Sequence, residues 1–408
     1  MQFASVKGTL MESKVAARKV LLVLDSQFKH WKGTQRFLYE FGSYLLLKGY
    51  EVALLENTNS ELPDTLVEVD FVIPFRIIRA SFKKFLGVFF VPKDTIRKEK
   101  PDVVYAVNVN SLPLIASSEY NTIFGTHVLN ISELKYVGRS GRLRFNVKKI
   151  FFVLIVKLVW RKKDIMIHAL NTDQRDWIVK VTNNRFPVRV IGNPVECRID
   201  ETIAYLSKME KNERFTVLYF GSLSAEKGFA RFLSILDHAE RSLTRKISFI
   251  IAGDGGMRNQ AISVSQKYEN VEFIKRPNDE QKRKLMISSD LFVFPSINET
   301  FSISSVEAQS CGLPCLFSDI TPLKNIAIEG KTGYCLSLDD GFEKRFSDKI
   351  TEYFQTWQND YNKYVKMRIE IAEITRRLCK ENVLPQLLDM VESCIKRDKE
   401  SSEPEHLP

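Results

Sequence analysis

Two carboxylates eight residues apart, Glu299 and Glu307, lie in the stretch Pro295-Ser-Ile-Asn-Glu-Thr-Phe-Ser-Ile-Ser-Ser-Val-Glu-Ala-Gln-Ser-Cys-Gly-Leu-Pro314. An ionised carboxylate only accepts hydrogen bonds, so this pair suits the hydroxyls of a ribose or another sugar and not a phosphate. The apolar run Asp290-Leu-Phe-Val-Phe294 predicts a buried strand, and Ser304 to Cys311 a helix stopped by Gly312 and Pro314. A strand–loop–helix junction presents free backbone N–H groups and the positive end of a helix dipole, which attracts an anionic group. The plainer alternative stays open here: Glu307 closes a capping box with Ser304, and Glu299 is a solvated loop charge.

Other candidate residues follow strands in the same way. Phe215 to Gly221 reads as a strand, followed by the loop Ser222-Leu-Ser-Ala-Glu-Lys227-Gly228. Lys19 to Asp25 reads as a strand followed by a loop holding Gly33, and Arg36 to Lys48 as a helix ended by Gly49. Gly33 either lets a ligand approach the backbone or only makes the turn; a single glycine is no dinucleotide signature. His127 ends a strand begun at Asn121, and ligands of open α/β sheets bind at that edge.

Strand, loop, helix and strand recur along the chain, which predicts parallel sheets. The 408 residues are too many for one ordinary domain. The expected organisation is two doubly wound α/β domains, at 19–192 and 193–375. A flexible tail (1–18) precedes them, and a C-terminal helix with a polar tail (376–408) follows. The N-terminal residues show no signal-peptide pattern. Six scattered cysteines form no Cys-x-x-Cys pair, and the five histidines show no ligand spacing. That pattern argues against a zinc site or a disulfide framework and fits a reducing compartment.

Charge is uneven. Residues 1–192 hold 30 Lys/Arg against 17 Asp/Glu, whereas 193–408 hold 30 against 33. Between Arg76 and Lys163 the imbalance is 18 to 5, interleaved with Phe82, Phe85, Phe89, Phe90, Phe151, Phe152 and Trp160. Such a mixture suits an anionic membrane surface, and no nucleic-acid module accompanies it. The apolar run Ile150–Trp160, broken by Lys157 and flanked by basic clusters, is too short to span a bilayer. It reads either as a core helix or as an interfacial one.

Four segments of the second half occur in order: Gly221-Ser-Leu-Ser-Ala-Glu-Lys-Gly228, Ile251-Ala-Gly-Asp-Gly255, the Glu299/Glu307 stretch through Gly312 and Pro314, and Glu329-Gly-Lys-Thr-Gly333. Lys32-Gly-Thr-Gln-Arg36, Pro101-Asp-Val-Val-Tyr105 and Thr126-His127 extend the succession into the first half. The succession resembles the family 4 retaining glycosyltransferases (glycosyl transferases group 1), over roughly residues 19–375. Each motif is weak alone; their order and spacing together are specific.

The resemblance implies a GT-B fold, two Rossmann-like domains facing across a cleft, with a nucleotide-sugar donor held mainly by the second. It implies that Glu307 accepts from the ribose hydroxyls and that Glu299 lies at the transferred sugar. It places the N–H groups of Thr300, Phe301 and Ser302 at sugar or phosphate, Lys227 at the leaving diphosphate, Gly33 close to that diphosphate and His127 beside a sugar hydroxyl. Phe273 to Arg276 would line the base.

Three departures stand out. Ser222 replaces an arginine common in the family, leaving Lys227 to carry more of the diphosphate charge, with Arg36 or Lys32 as candidate helpers. Ser302 and Arg276 stand where glycine is usual, and the Ser302 side chain would narrow the sugar pocket.

These features imply transfer of a hexose-type sugar with retention. The acceptor would attack the face that the diphosphate leaves, without an essential metal. The expected acceptor is a glycan or a lipid-linked precursor of a cell-envelope polysaccharide. The expected place is the cytoplasm, with peripheral contact at the inner face of the cell membrane and no nucleic-acid partner. The alternatives are a nucleotide-sugar 2-epimerase of the same fold and a non-catalytic binding protein derived from a transferase.

Overall fold

The computed structural model describes residues 17–26, 28, 33–58, 73–85, 88–90, 93–107, 120–127, 165–242 and 246–402. In chain order the first part runs β1 (Lys19–Leu24), α1 (Gly33–Leu47), β2 (Glu51–Asn57), β3 (Arg76–Ala80), β4 (Lys83–Phe85), β5 (Val88–Phe90), α2 (Lys93–Glu99), β6 (Val103–Val107), β7 (Asn121–Gly125), β8 (Ile165–Ala169), α3 (Thr172–Thr182) and β9 (Val188–Val190). The second runs α4 (Ile199–Leu206), β10 (Phe215–Ser222), α5 (Phe229–Ser242), β11 (Ile247–Asp254), α6 (Arg258–Lys267), β12 (Val271–Lys275), α7 (Asp279–Ser288), β13 (Leu291–Phe294), α8 (Ile303–Ser310), β14 (Cys315–Ser318), α9 (Thr321–Ile326) and β15 (Gly333–Leu336). Three helices close the chain: α10 (Phe342–Asn359), α11 (Tyr361–Thr375) and α12 (Lys380–Ser402).

The strands form two parallel sheets, ordered β3-β2-β1-β6-β7-β8-β9 and β12-β11-β10-β13-β14-β15; β4 and β5 make a separate antiparallel pair. These are two Rossmann-like doubly wound domains. Strands buried on both faces are continuously apolar, as in β1 and β6. In each sheet the order reverses once, between β1 and β6 and between β10 and β13. A crevice opens at that reversal, beyond the carboxyl ends of the strands. The loops holding Lys227 and Glu299 leave strands beside the second of these points, and α1, which begins at Gly33, follows β1 at the first.

Helix α12 does not extend the second sheet. Its Leu387, Met390 and Val391 are buried with Val20 and Leu22 of the first sheet and Phe41 of α1, so the chain crosses between the sheets twice. The two crossings lie side by side: the N–H of Lys380 donates to the Val195 carbonyl at 2.8 Å. There Cys197 and Cys379, 182 residues apart in sequence, form a disulfide with their Cα atoms 5.6 Å apart. The scattered cysteines argue against a disulfide framework and give no sign of this single pair. Sequence spacing reveals local cysteine pairs, whereas this pair exists only because both crossings share one place.

Helix α11 braces the C-terminal end of α8. Arg368 is fully buried and donates to the carbonyls of Ile287, Cys311 and Gly312. No helix among the described residues is long and apolar enough to cross a membrane. The expected helix at 142–163 lies outside the described residues.

Candidate functional site

The loop after β10 and the loop after β13 are locked together by their backbones. Gly228 has φ +71°, and a Cβ there would lie 1.8 Å from the Pro295 carbonyl oxygen. Only glycine permits that approach. The Glu226 carbonyl accepts from Ile297 N–H at 3.0 Å and from Ser296 Oγ at 3.1 Å. Tyr219, buried in β10, donates its hydroxyl to the carbonyls of Ser222 and Lys227, each at 3.1 Å. Burial, with the Glu299 charge adding to it, pushes this phenol far above its usual range, so it stays a donor.

The consequence is an ion pair. Lys227 Nζ lies 2.8 Å from Glu299 Oε1, which also accepts from Ser296 Oγ at 3.2 Å. Glu299 is 6% exposed, so it is no solvated loop charge. Ser222 is exposed at the end of β10.

Glu307 is equally engaged. Its Oε1 accepts from Arg36 Nη1 at 2.9 Å and from Lys282 Nζ at 2.8 Å. The capping-box alternative therefore fails. Helix α8 starts earlier than expected, at Ile303; its N-cap is Ser302, and no side chain caps the backbone. Ser302 Oγ instead lies 2.7 Å from Ser305 Oγ. The first N–H groups of α8 have no intrahelical acceptors, which leaves an anion-seeking end at this crevice.

Ser302 has φ +86° and Arg276 φ +46°, a region that favours glycine. Both are positions where the family pattern has glycine, so each departure keeps the backbone shape and adds a side chain. That of Arg276 pairs with Asp254 (Nε–Oδ2, 2.6 Å) at the end of β11.

The first domain meets this loop directly. A Cβ on Gly33 would lie 3.6 Å from Ile303 Cδ1, so the start of α1 faces the start of α8. Asn171 caps α3 through its Oδ1 and donates from Nδ2 to the Thr300 carbonyl at 2.8 Å. The Phe301 ring packs onto Gly192, where a Cβ would lie 2.5 Å from it, and among Leu170, Val195, Val306 and Ile326. The side chain of Phe301 thus packs where the two domains meet.

His127 is buried beneath α1, its ring 4.2 Å from that of Phe37 and 5.3 Å from that of His168. Its Nε2 has no hydrogen-bond partner among the described residues. No contact joins it to Lys227 or Glu299 among them. Burial, then the neighbouring His168, holds the ring far below the ordinary histidine range, so it is neutral.

Lys282 and Asn171 escaped the sequence reading. The capping box Asn278–Gln281 marks the start of α7, but no local pattern couples Lys282 to Glu307. Burial would lower the Lys282 ammonium, yet Glu307 and Asp279 outweigh it and hold it above the usual lysine range. Arg36, a candidate helper at the diphosphate, is held by Glu307; Lys32 lies outside the described residues. Among the described residues, no group of three or more His, Cys, Asp or Glu gathers as a metal site.

The family model described as "Glycosyl transferases group 1" matches residues 205–370. The chain is similar to the phosphatidylinositol N-acetylglucosaminyltransferase gpi3 subunit of Schizosaccharomyces pombe. They are 20% identical over 90% of this chain and 82% of that one. It is also similar to the GDP-mannose:cellobiosyl-diphosphopolyprenol alpha-mannosyltransferase of Xanthomonas oryzae pv. oryzae, 32% identical over 37% of this chain and 40% of the other. The crystal structure of Anabaena HepE with UDP-glucose shares the fold, with a TM-score of 0.63 and 15% identity, covering 92% of this chain and 99% of that chain.

Proposed function

We propose that this chain, which matches the glycosyl transferases group 1 model over residues 205–370 and has the GT-B fold, is a glycosyltransferase that moves a hexose-type sugar, with retention, from a nucleotide sugar to a lipid-linked or glycan acceptor. The observation that carries the reading is the Lys227–Glu299 pair, 2.8 Å apart, a buried carboxylate holding a half-buried lysine beside the N-terminus of α8. A cation and an acceptor-only carboxylate at one point match a donor whose diphosphate gains charge while its sugar hydroxyls stay neutral.

In this reading the bond from the sugar's anomeric carbon to the diphosphate oxygen breaks first. Lys227 and the N–H groups of Thr300, Phe301 and Ser302 stabilise the departing charge, with Gly33 and Ser222 leaving room for it. The acceptor oxygen then bonds to the anomeric carbon on the same face, and its proton passes to the leaving phosphate oxygen. Glu299 orients the sugar, Glu307 the ribose, and Arg276 edges the base site. His127, neutral by its burial, fixes a sugar hydroxyl through Nε2. The site's cation is a lysine, and the reaction needs no metal.

The donor class is supported by the HepE complex, whose ligand is UDP-glucose. The acceptor class is supported by the two relatives, whose names specify phosphatidylinositol and a diphosphopolyprenol carrier. A lipid-borne acceptor would also account for the basic first half, through peripheral contact with an anionic membrane.

A panel of nucleotide sugars tests the function, read first by the rise in melting temperature that any ligand of the folded form must give, then by transfer. The expected result is stabilisation by one donor, transfer with the anomeric configuration kept, and no transfer by Glu299→Ala, assayed well below that variant's own melting temperature so that the fold is intact. Epimerised donor, inverted product or near-normal activity in that variant would overturn it. Co-sedimentation with liposomes should rise with the fraction of anionic lipid; binding indifferent to that fraction would remove the membrane contact.

A further inference from the structure

Three charged side chains meet where the two domains touch. Arg36 belongs to α1 of the first domain; Lys282 and Glu307 belong to α7 and α8 of the second. Their side chains are only 15%, 12% and 11% exposed. Asp279, 2.8 Å from Lys282, completes an electrically balanced group of two cations and two carboxylates. Lys282 and Arg36 together hold the Asp279 carboxyl below the usual range against the upward push of burial.

The direction of these contacts is informative. Both cations converge on Oε1 of Glu307, and neither bonds Oε2. A carboxylate fixed by one oxygen has its other oxygen oriented and its rotamers already restricted. It therefore loses less entropy when it accepts from a ligand. A cavity of about 190 Å³, lined in part by Arg36, Lys282, Arg283 and Glu307, adjoins the group and gives a ligand room to reach it. Lys227 already serves the neighbouring carboxylate, Glu299.

We propose that Arg36 is a positioning residue for the ribose-binding carboxylate: with Lys282 it fixes Glu307 from the acceptor domain, so that the nucleotide site is complete only when both domains meet. The inference rests on the reading of Glu307 as the ribose acceptor. It assigns Arg36 an action through Glu307, and none on the diphosphate. Occupancy of the donor site and apposition of the domains then become linked quantities, because the same ion pair serves both.

A double-mutant cycle on nucleotide binding tests this. UDP, GDP and ADP are titrated calorimetrically against the full chain, and the one that binds is carried through Arg36→Met, Glu307→Gln and the double variant. Arg36→Met is expected to weaken binding about tenfold in the native background and less than about twofold beside Glu307→Gln. Arg36→Lys, which keeps the charge, should recover part of the loss and serves if the methionine variant folds poorly. The 2′,3′-dideoxy form of the nucleotide should not distinguish Arg36→Met from the native protein. Equal losses in both backgrounds would place Arg36 on the diphosphate and overturn the proposal, as would unchanged binding in Arg36→Met. If none of the nucleotides binds the native protein, the donor reading itself fails and takes this one with it. Binding with additive losses fails this one alone.

Discussion

Gly228 shows how one missing side chain sets the chemistry of its neighbour. Its α-carbon sits against the Pro295 carbonyl, and Lys227 reaches Glu299 because the two loops touch there. Gly228→Ala would add a methyl group 1.8 Å from that oxygen, at a φ of +71°. The expected cost is at least about 2 kcal/mol in denaturant unfolding, with transfer lost as Lys227 moves. Gly256→Ala, which would meet nothing within 4 Å, is the control and should unfold like the native protein. Equal stability of the two variants would contradict the packing argument. At this scale the sequence was partly legible. The Lys-Gly pair and the two glutamates were visible as types and spacings. Glu307's partners were not, since Arg36 is 271 residues away and no local rule joins them. The glycine-like backbones of Ser302 and Arg276 were invisible in the residues themselves; the family pattern alone marked them.

Elements read more easily than contacts. Continuous apolar runs located β1, β10 and β13 to within a residue or two, because strands buried on both faces admit little else. Helix α1 began at Gly33, earlier than Arg36, since glycine and threonine are weak helix signals that tertiary packing overrode. The segments 19–192, 193–375 and 376–408 remain a division of the sequence; α12 itself packs on the first sheet. Strand β8 carries a testable consequence. His168 accepts at Nδ1 from the Tyr105 hydroxyl and donates from Nε2 to the Ile191 carbonyl at 2.7 Å. Burial, only partly offset by that carbonyl, lowers its pKa from 6.5 to about 4. As pH falls below 6.5 the unfolded chain takes up this proton and the folded protein does not until about 4. Stability is therefore full above 6.5 and is lost across that window, by roughly 3 kcal/mol for this residue. Unfolding midpoints between pH 7.5 and 4.5 should fall less steeply for His168→Gln than for the native protein; parallel slopes would contradict it.

On the scale of the molecule, two parallel sheets approach each other through the starts of α1 and α8, through Asn171 on Thr300 and through Arg36 on Glu307. The architecture was legible from alternating strands and helices, and its relation to a family from the order of weak motifs. The joint between the domains was not, because it is made of residues far apart in the chain. The Cys197–Cys379 disulfide belongs to that joint. It turns the chain between those residues, the whole second sheet included, into a covalent ring carrying two arms. A single protease cut anywhere inside the ring would leave one connected molecule, and the halves would part only when the bond is reduced. Joining ends so far apart also removes close to 5 kcal/mol of loop entropy from the unfolded chain. Reductant thus acts on the ensemble that competes with the fold, even where it leaves the folded site untouched.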